Sequence, residues 1–234
     1  MKTLVRWLRR LLLALFLVLL AWHLWLLGWV LWWKWVDPGT TSFMLIRLAE
    51  LREKNPQAQL KHQWVPYAKI STHLKRAVVA AEDDSFVDHD GFDIEGIQKA
   101  LQKNDKKGRV VAGGSTISQQ LAKNLFLWSG STRVEKYARK ALEVPATLMI
   151  EALWDKRRIL EVYLNSVEWG SGIFGAEAAA RRYYGLGAAQ LGPDQAARLA
   201  VMLPNPRKYE KSFSPRLAAH AARVQARMHH SEVP

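Results

Sequence analysis

The 234 residues include no cysteine, which excludes disulfide frameworks and thiolate metal sites and leaves the redox compartment open. No acid occurs in the first 36 residues. No stretch of alternating β-branched residues is long enough to make a convincing central strand. Internal repeats and low-complexity segments are missing too. A GxxxxGK[ST] loop is absent, so the chain does not cradle a nucleotide in the Walker manner.

What is present begins with LLLALFLVLLAWHLWLLGWVLWW, residues 11–33, in which only His23 is clearly polar. As a helix, a run of that length covers about 35 Å, enough to cross a bilayer with some tilt. A signal peptide has a shorter apolar region and a small-residue cleavage site, whereas this run ends in Trp32-Trp33-Lys34-Trp35. Tryptophans at 29, 32, 33 and 35 suit a membrane interface. Lys2, Arg6, Arg9 and Arg10 precede the span and only Lys34 follows it closely. That asymmetry places the N-terminus in the cytoplasm and the rest outside, in the periplasm of a bacterium, where ATP is unavailable. The formal charge of +13 points to an anionic partner: nucleic acid, phosphate or lipid headgroup.

The expected organisation is a basic segment at 1–10, a transmembrane helix at 11–33, a juxtamembrane region at 37–65 and one domain over 66–234. That domain reads as all-α or nearly so. Helices are expected over 71–84, with Ser71 or Thr72 as N-cap, and over 94–104, before a charged turn. Another opens at GGST, where Thr116 and Gln119 have capping-box spacing. Further helices are expected over 132–154 and 156–165, then in EAAARRYYG and PDQAARLAVMLPNP, each stopped by Gly or Pro. A terminal helix with a frayed end follows Pro206.

Three stretches can carry chemistry. In AAEDDSFVDHDG, a helix continuing past Glu82 would align Val78, Glu82, Phe86 and His89 on one face. A carboxylate beside an apolar stripe is partly desolvated, which moves its pKa toward working pH and suits a general base. Spacing alone does not choose between that role and a solvated helix end. In GGSTISQQLAKN, a glycine turn opens a helix whose N–H groups and positive dipole suit phosphate or pyrophosphate. Gln119, Gln120, Lys123 and Asn124 lie on its first turns. In RKALE, Arg139 and Lys140 stand four and three residues before Glu143, so two cations flank one carboxylate. A plain surface ion pair has the same spacing.

Together with RRILEVYLN (157–165) and AARRYYG (179–185), these stretches resemble the peptidoglycan glycosyltransferases of glycosyltransferase family 51, in order and approximate spacing. The likeness covers about residues 66–206. The chain lacks the Ser-x-x-Lys and Lys-Thr-Gly of the bifunctional members' transpeptidase domain and so looks monofunctional. The resemblance implies a lysozyme-like, mostly helical fold with a small jaw near the membrane. It implies lipid II and the growing glycan strand as substrates, membrane lipid and cell-wall synthesis proteins as partners, and no nucleic acid. No cofactor is required, and stimulation by divalent cations is left open; no residue is singled out as a metal ligand. Glu82 matches the catalytic base and Glu143 the second family glutamate. Lys123, Arg139 and Lys140 would neutralise the pyrophosphate leaving group. Asp83, Phe86, His89, Ser115, Thr116, Gln119 and Asn124 match binding or architectural positions. Pro145 departs from the family's helical pattern, and a kink there would re-aim Glu143. The alternatives are a glycan-cleaving enzyme of the same fold, hydrolase or lytic transglycosylase, and a non-catalytic scaffold. A cleaving enzyme has no pyrophosphate to hold.

Overall fold

The computed structural model describes residues 2–109, 113–128, 130 and 132–234. Helix α1 (Lys2–Trp33) runs unbroken through the basic segment and the apolar run, and it is long and apolar enough to cross a membrane. Its last turns do not stand free. Leu26 and Val30 are fully buried against the domain, and Trp33 stacks on Phe126 with ring centroids 5.4 Å apart. The helix C-terminus leaves carbonyls without intrahelical donors, and the domain supplies them. Trp154 Nε1 donates to Val30 O at 2.8 Å. Arg158 Nη2 donates to Trp33 O at 2.8 Å and to Val36 O at 3.0 Å, while its Nη1 pairs with Asp37 at 2.8 Å.

Helix α2 (Ser42–Lys54) follows, capped by the Thr41 side chain. Then come β1 (Lys61–His62), α3 (Thr72–Glu82), α4 (Ile94–Lys107), α5 (Ile117–Phe126), α6 (Arg133–Leu153) and α7 (Lys156–Ser166). The second half holds β2 (Glu168–Gly170), β3 (Ile173–Phe174), α8 (Ala176–Tyr184), α9 (Pro193–Ala200), α10 (Pro206–Tyr209) and α11 (Pro215–Arg227). The small sheet has order β1-β3-β2, with β1 parallel and β2 antiparallel to β3. Strands of two or three residues are too short for an alternating pattern to show, so the sequence reading of a nearly all-α domain passes over them.

Packing explains the arrangement. Helix α3 lies on α9, and both bury alanines there: Ala77 and Ala80 on one, Ala196, Ala197 and Ala200 on the other. Small side chains let helix axes approach closely. Helix α5 is enclosed by α2, α6 and α7 and buries Ile117, Leu121 and Leu125. Asn165, fully buried, ties α7 to the strand side: its Nδ2 donates to Val65 O and its Oδ1 accepts from Val65 N, both at 2.9 Å. The turn after β3 needs glycine, because Gly175 has φ +82° and a Cβ there would lie 2.7 Å from Asn165 O.

Two expectations change. The charged stretch after residue 104 is not a turn; α4 continues to Lys107 and ends on Gly108 in the left-handed region. The C-terminus is not frayed. Ser231 is buried and its Oγ donates to Asp84 Oδ1 at 2.6 Å, while the Tyr67 hydroxyl donates to Pro234 O.

Candidate active site

Glu82 is the last residue of α3. The helix stops there because Asp83 turns inward: its Oδ2 accepts from Ile117 N and its Oδ1 pairs with His89 Nε2, both at 2.9 Å. His89 Nδ1 accepts from Gly91 N at 3.1 Å, so Nε2 carries the proton that goes to Asp83. Glu82, Phe86 and His89 therefore do not share a helix face. Phe86 is fully buried, with His89 edge-on to its ring. Neither is among the residues that line the cleft described below, and both brace the 83–91 loop. Gly91 seats that loop against α6: its φ is +89°, and a Cβ would meet Thr147 and Glu151 at under 3 Å.

The start of α5 also differs from expectation. Its first N–H groups are already used: Ile117 N bonds to Asp83, and Gln119 N to Thr116 Oγ1 at 3.2 Å. Gln119 Oε1 in turn accepts from Thr116 N, completing the capping box. Two of the N–H groups at this terminus, those of Ile117 and Gln119, are thus taken by side chains of the protein rather than left for an anion. Thr116 Oγ1 also donates to Gly91 O at 2.7 Å. Thr116 and Gln119 are structural in these contacts, although Gln119 still borders the cleft.

A cleft of about 310 Å³ is lined by Glu82, Ser115, Gln119, Gln120, Lys123, Arg139, Lys140, Glu143, Leu203 and Pro204. Glu143 is buried and holds two cations: Lys140 Nζ lies 2.8 Å from Oε2 and Arg139 Nε 3.6 Å from Oε1. Lys140 also donates to Ser115 Oγ at 3.2 Å. The kink expected at Pro145 does not take Glu143 away, since α6 is continuous through the proline and Glu143 stays in the cleft. Asn124 lies further along, with Phe43 and Arg47 on the adjoining groove. Asp83 borders the opposite groove beside Asp84 and Asp93. Among the described residues no group of three or more His, Cys, Asp or Glu is placed to hold a metal.

The electrostatics are polarised. Burial pushes the Glu82 carboxyl above its ordinary pKa, opposed by the Gln120 hydrogen bond and the Lys123 charge and reinforced by Asp83. Burial also pushes Lys123 below its ordinary value, helped by Arg139 and Lys140, while Glu143 and Glu82 push back. A carboxylate inclined to take a proton thus faces three cations that lack enough negative charge among themselves. The reading from sequence places Gln120 on the first turns of this helix but not its link to the base candidate: Gln120 Nε2 donates to Glu82 Oε2 at 2.8 Å. The signal was available: capping-box spacing commits the Gln119 amide to the helix start and leaves Gln120 as the free one.

The transglycosylase family model matches residues 49–229, which takes in every residue of this cleft. This chain belongs to the transglycosylase family. Relatives matching it over their full lengths carry the name biosynthetic peptidoglycan transglycosylase. That of Azoarcus sp. is 68% identical over 234 residues, and that of Dechloromonas aromatica 65% identical over 235, each covering all of both chains. That of Aromatoleum aromaticum is 62% identical over 234 residues, again full length on both sides. These three matches include α1, which the transglycosylase family model leaves out. The fold of this transglycosylase is mostly helical, with a single apolar N-terminal helix suited to anchoring it in a membrane.

Proposed function

We propose that the chain is a peptidoglycan glycosyltransferase that polymerises lipid II into β-1,4 glycan strands. The observation that carries the reading is the opposition, across one cleft, of the desolvated Glu82 to Lys123, Arg139 and Lys140. Glu82 takes the proton of the acceptor's GlcNAc 4-hydroxyl as that oxygen attacks C1 of the donor's MurNAc. The C1–O bond to pyrophosphate breaks, its electron pair leaves on the phosphate oxygen, and the α-linkage inverts to β. The three cations stabilise the charge growing on undecaprenyl pyrophosphate, and Glu143 keeps Arg139 and Lys140 aimed. The leaving group brings its own activation, so the reaction calls for no ATP and no cofactor. Asp83, Phe86, His89 and Thr116 serve by holding Glu82 and α5 in register.

The test is to incubate the detergent-solubilised protein with labelled lipid II and separate the products by size. Long strands are expected. Shortened preformed strands with inert lipid II would instead identify a glycan-cleaving enzyme, and no turnover of either a scaffold. Adding or chelating divalent cations in the same assay reads their effect on rate.

We further infer a single-pass inner-membrane protein with a cytoplasmic N-terminus and a periplasmic catalytic domain, supported by the four basic residues ahead of the apolar run. A chain without cysteine makes this simple to check. In intact spheroplasts an impermeant maleimide should label Thr40→Cys and spare Lys2→Cys; the reverse pattern would invert the topology.

A further inference from the structure

Tyr163, on α7, is fully buried, yet it carries a hydroxyl. That hydroxyl donates to Gln120 Oε1 at 2.9 Å. The other end of the same amide donates to Glu82 Oε2 at 2.8 Å and, more loosely, to Ser115 O at 3.4 Å. Three helices thus contribute one group each to a line running from the core to the cleft: Tyr163 from α7, Gln120 from α5 and Glu82 from α3. A carboxamide is nearly symmetrical in shape, so packing alone does not decide which end faces the carboxylate. Its two neighbours decide it together: the Glu82 carboxylate can only accept and so faces the NH2 end, while the buried phenol needs an acceptor for its proton and finds Oε1.

We propose that Tyr163 is a positioning residue for the base: through Gln120 it aims an N–H at Glu82 Oε2 and leaves Oε1 open to the acceptor hydroxyl. The proposal rests on Glu82 being the base. Oε1 has no hydrogen-bond partner among the described residues, so both of its lone pairs are free, whereas Oε2 already accepts from Gln120. Tyr163 stays protonated throughout catalysis, since burial and the nearby Glu82 and Asp83 carboxylates hold its pKa well above the ordinary phenol value. Its donor role does not depend on working pH.

The relay has a signature in pH dependence. Glu82 works only when ionised, so activity is present above its pKa and is lost as pH falls through it. The Gln120 bond favours the ionised form; weakening it raises the pKa and moves the acid limb of the rate profile to higher pH. The other charges facing Glu82 are Asp83 on its own turn, Lys123 of α5, and Arg139, Lys140 and Glu143 of α6 across the cleft. On the opposite side stand Asp84, Asp93 and Arg227. None of these is altered by removing the tyrosine oxygen.

The experiment is the pH–rate profile of lipid II consumption by full-length wild type, Tyr163→Phe, Gln120→Leu and the double variant. Gln120→Leu should move the acid limb up by about one pH unit, and Tyr163→Phe should move it the same way by less. At neutral pH the Tyr163→Phe loss should fall on kcat, by up to about tenfold, with KM within about twofold, because the tyrosine is buried and does not line the cleft. The double variant should be no worse than Gln120→Leu, since the two groups act in series. A Tyr163→Phe protein that melts earlier but keeps its acid limb would make Tyr163 merely structural and overturn the relay. Additive losses in the double variant would overturn it as well. If Tyr163→Phe does not fold, Gln120→Leu at the cleft wall carries the test, and an unmoved limb decides against the relay. An active Glu82→Gln enzyme would remove the base itself, a failure distinct from an inert Glu82→Gln with unmoved acid limbs.

Discussion

Glu82→Gln should leave a folded protein that makes no measurable glycan strand. The substitution keeps the shape of the side chain and removes its capacity to accept a proton from the attacking hydroxyl. Positioned general bases contribute about 10²–10⁴-fold to rate, and a processive polymer multiplies the loss over many additions. Stability should move the other way. Burial holds the Glu82 pKa above its ordinary value, so the ionised carboxylate is a cost to the native state. Replacing it with a neutral amide relieves that cost, and the melting temperature should be unchanged or higher. Near-wild-type strand synthesis by the variant would refute the assignment. A variant that is inactive because it is unfolded would show a lowered melting temperature, so the thermal scan and the assay together separate the two explanations.

The second large effect is expected at Lys123. This lysine sits within the cleft beside Arg139 and Lys140, where burial and its cationic neighbours push its pKa down. An incoming pyrophosphate reverses that pressure, because the ligand supplies the negative charge the cluster lacks. Lys123→Met keeps the stem volume and removes the charge. Losing one preorganised donor to a developing anion costs about 10²–10³-fold in kcat, and that is the loss expected here. A second sign should accompany it. Lys123 also favours the ionised form of Glu82, so its removal raises the pKa of the base and the acid limb moves to higher pH. An unchanged kcat would show that the cluster is a structural ion network and that the leaving group is stabilised elsewhere.

Local rules made several parts of this molecule legible in the sequence. The capping box of Thr116 and Gln119, the flanking of Glu143 by Arg139 and Lys140, and the glycine stop after Tyr184 all depend on residues within four positions of one another. The misplaced features depend on partners far along the chain. The end of α3 at Glu82 is set by Asp83 reaching Ile117, 34 residues on. Periodicity within residues 71–90 cannot see that bond and extends the helix past its true end. The ordered C-terminus depends on Asp84, which stays exposed yet accepts a hydrogen bond from Ser231, 147 residues away. Tyr163 reads as one more apolar residue of α7, because its use becomes visible only when α5 brings Gln120 beside it. The open helix start expected at GGST failed for the same reason: the acid that occupies it comes from a different motif.

The junction between the span and the domain bears on how an enzyme meets a substrate confined to a sheet of lipid. A domain on a slack tether samples many tilts and elevations, and most encounters with a lipid-borne sugar would then find the cleft facing elsewhere. Arg158 and Trp154 clasp the last turn of α1, so the anchor and the cleft share one orientation. With α1 as the membrane anchor proposed above, the search for substrate becomes two-dimensional, with the elevation and tilt of the cleft set by that clasp. Much of the orientational entropy of each encounter is removed when the chain folds rather than at every addition.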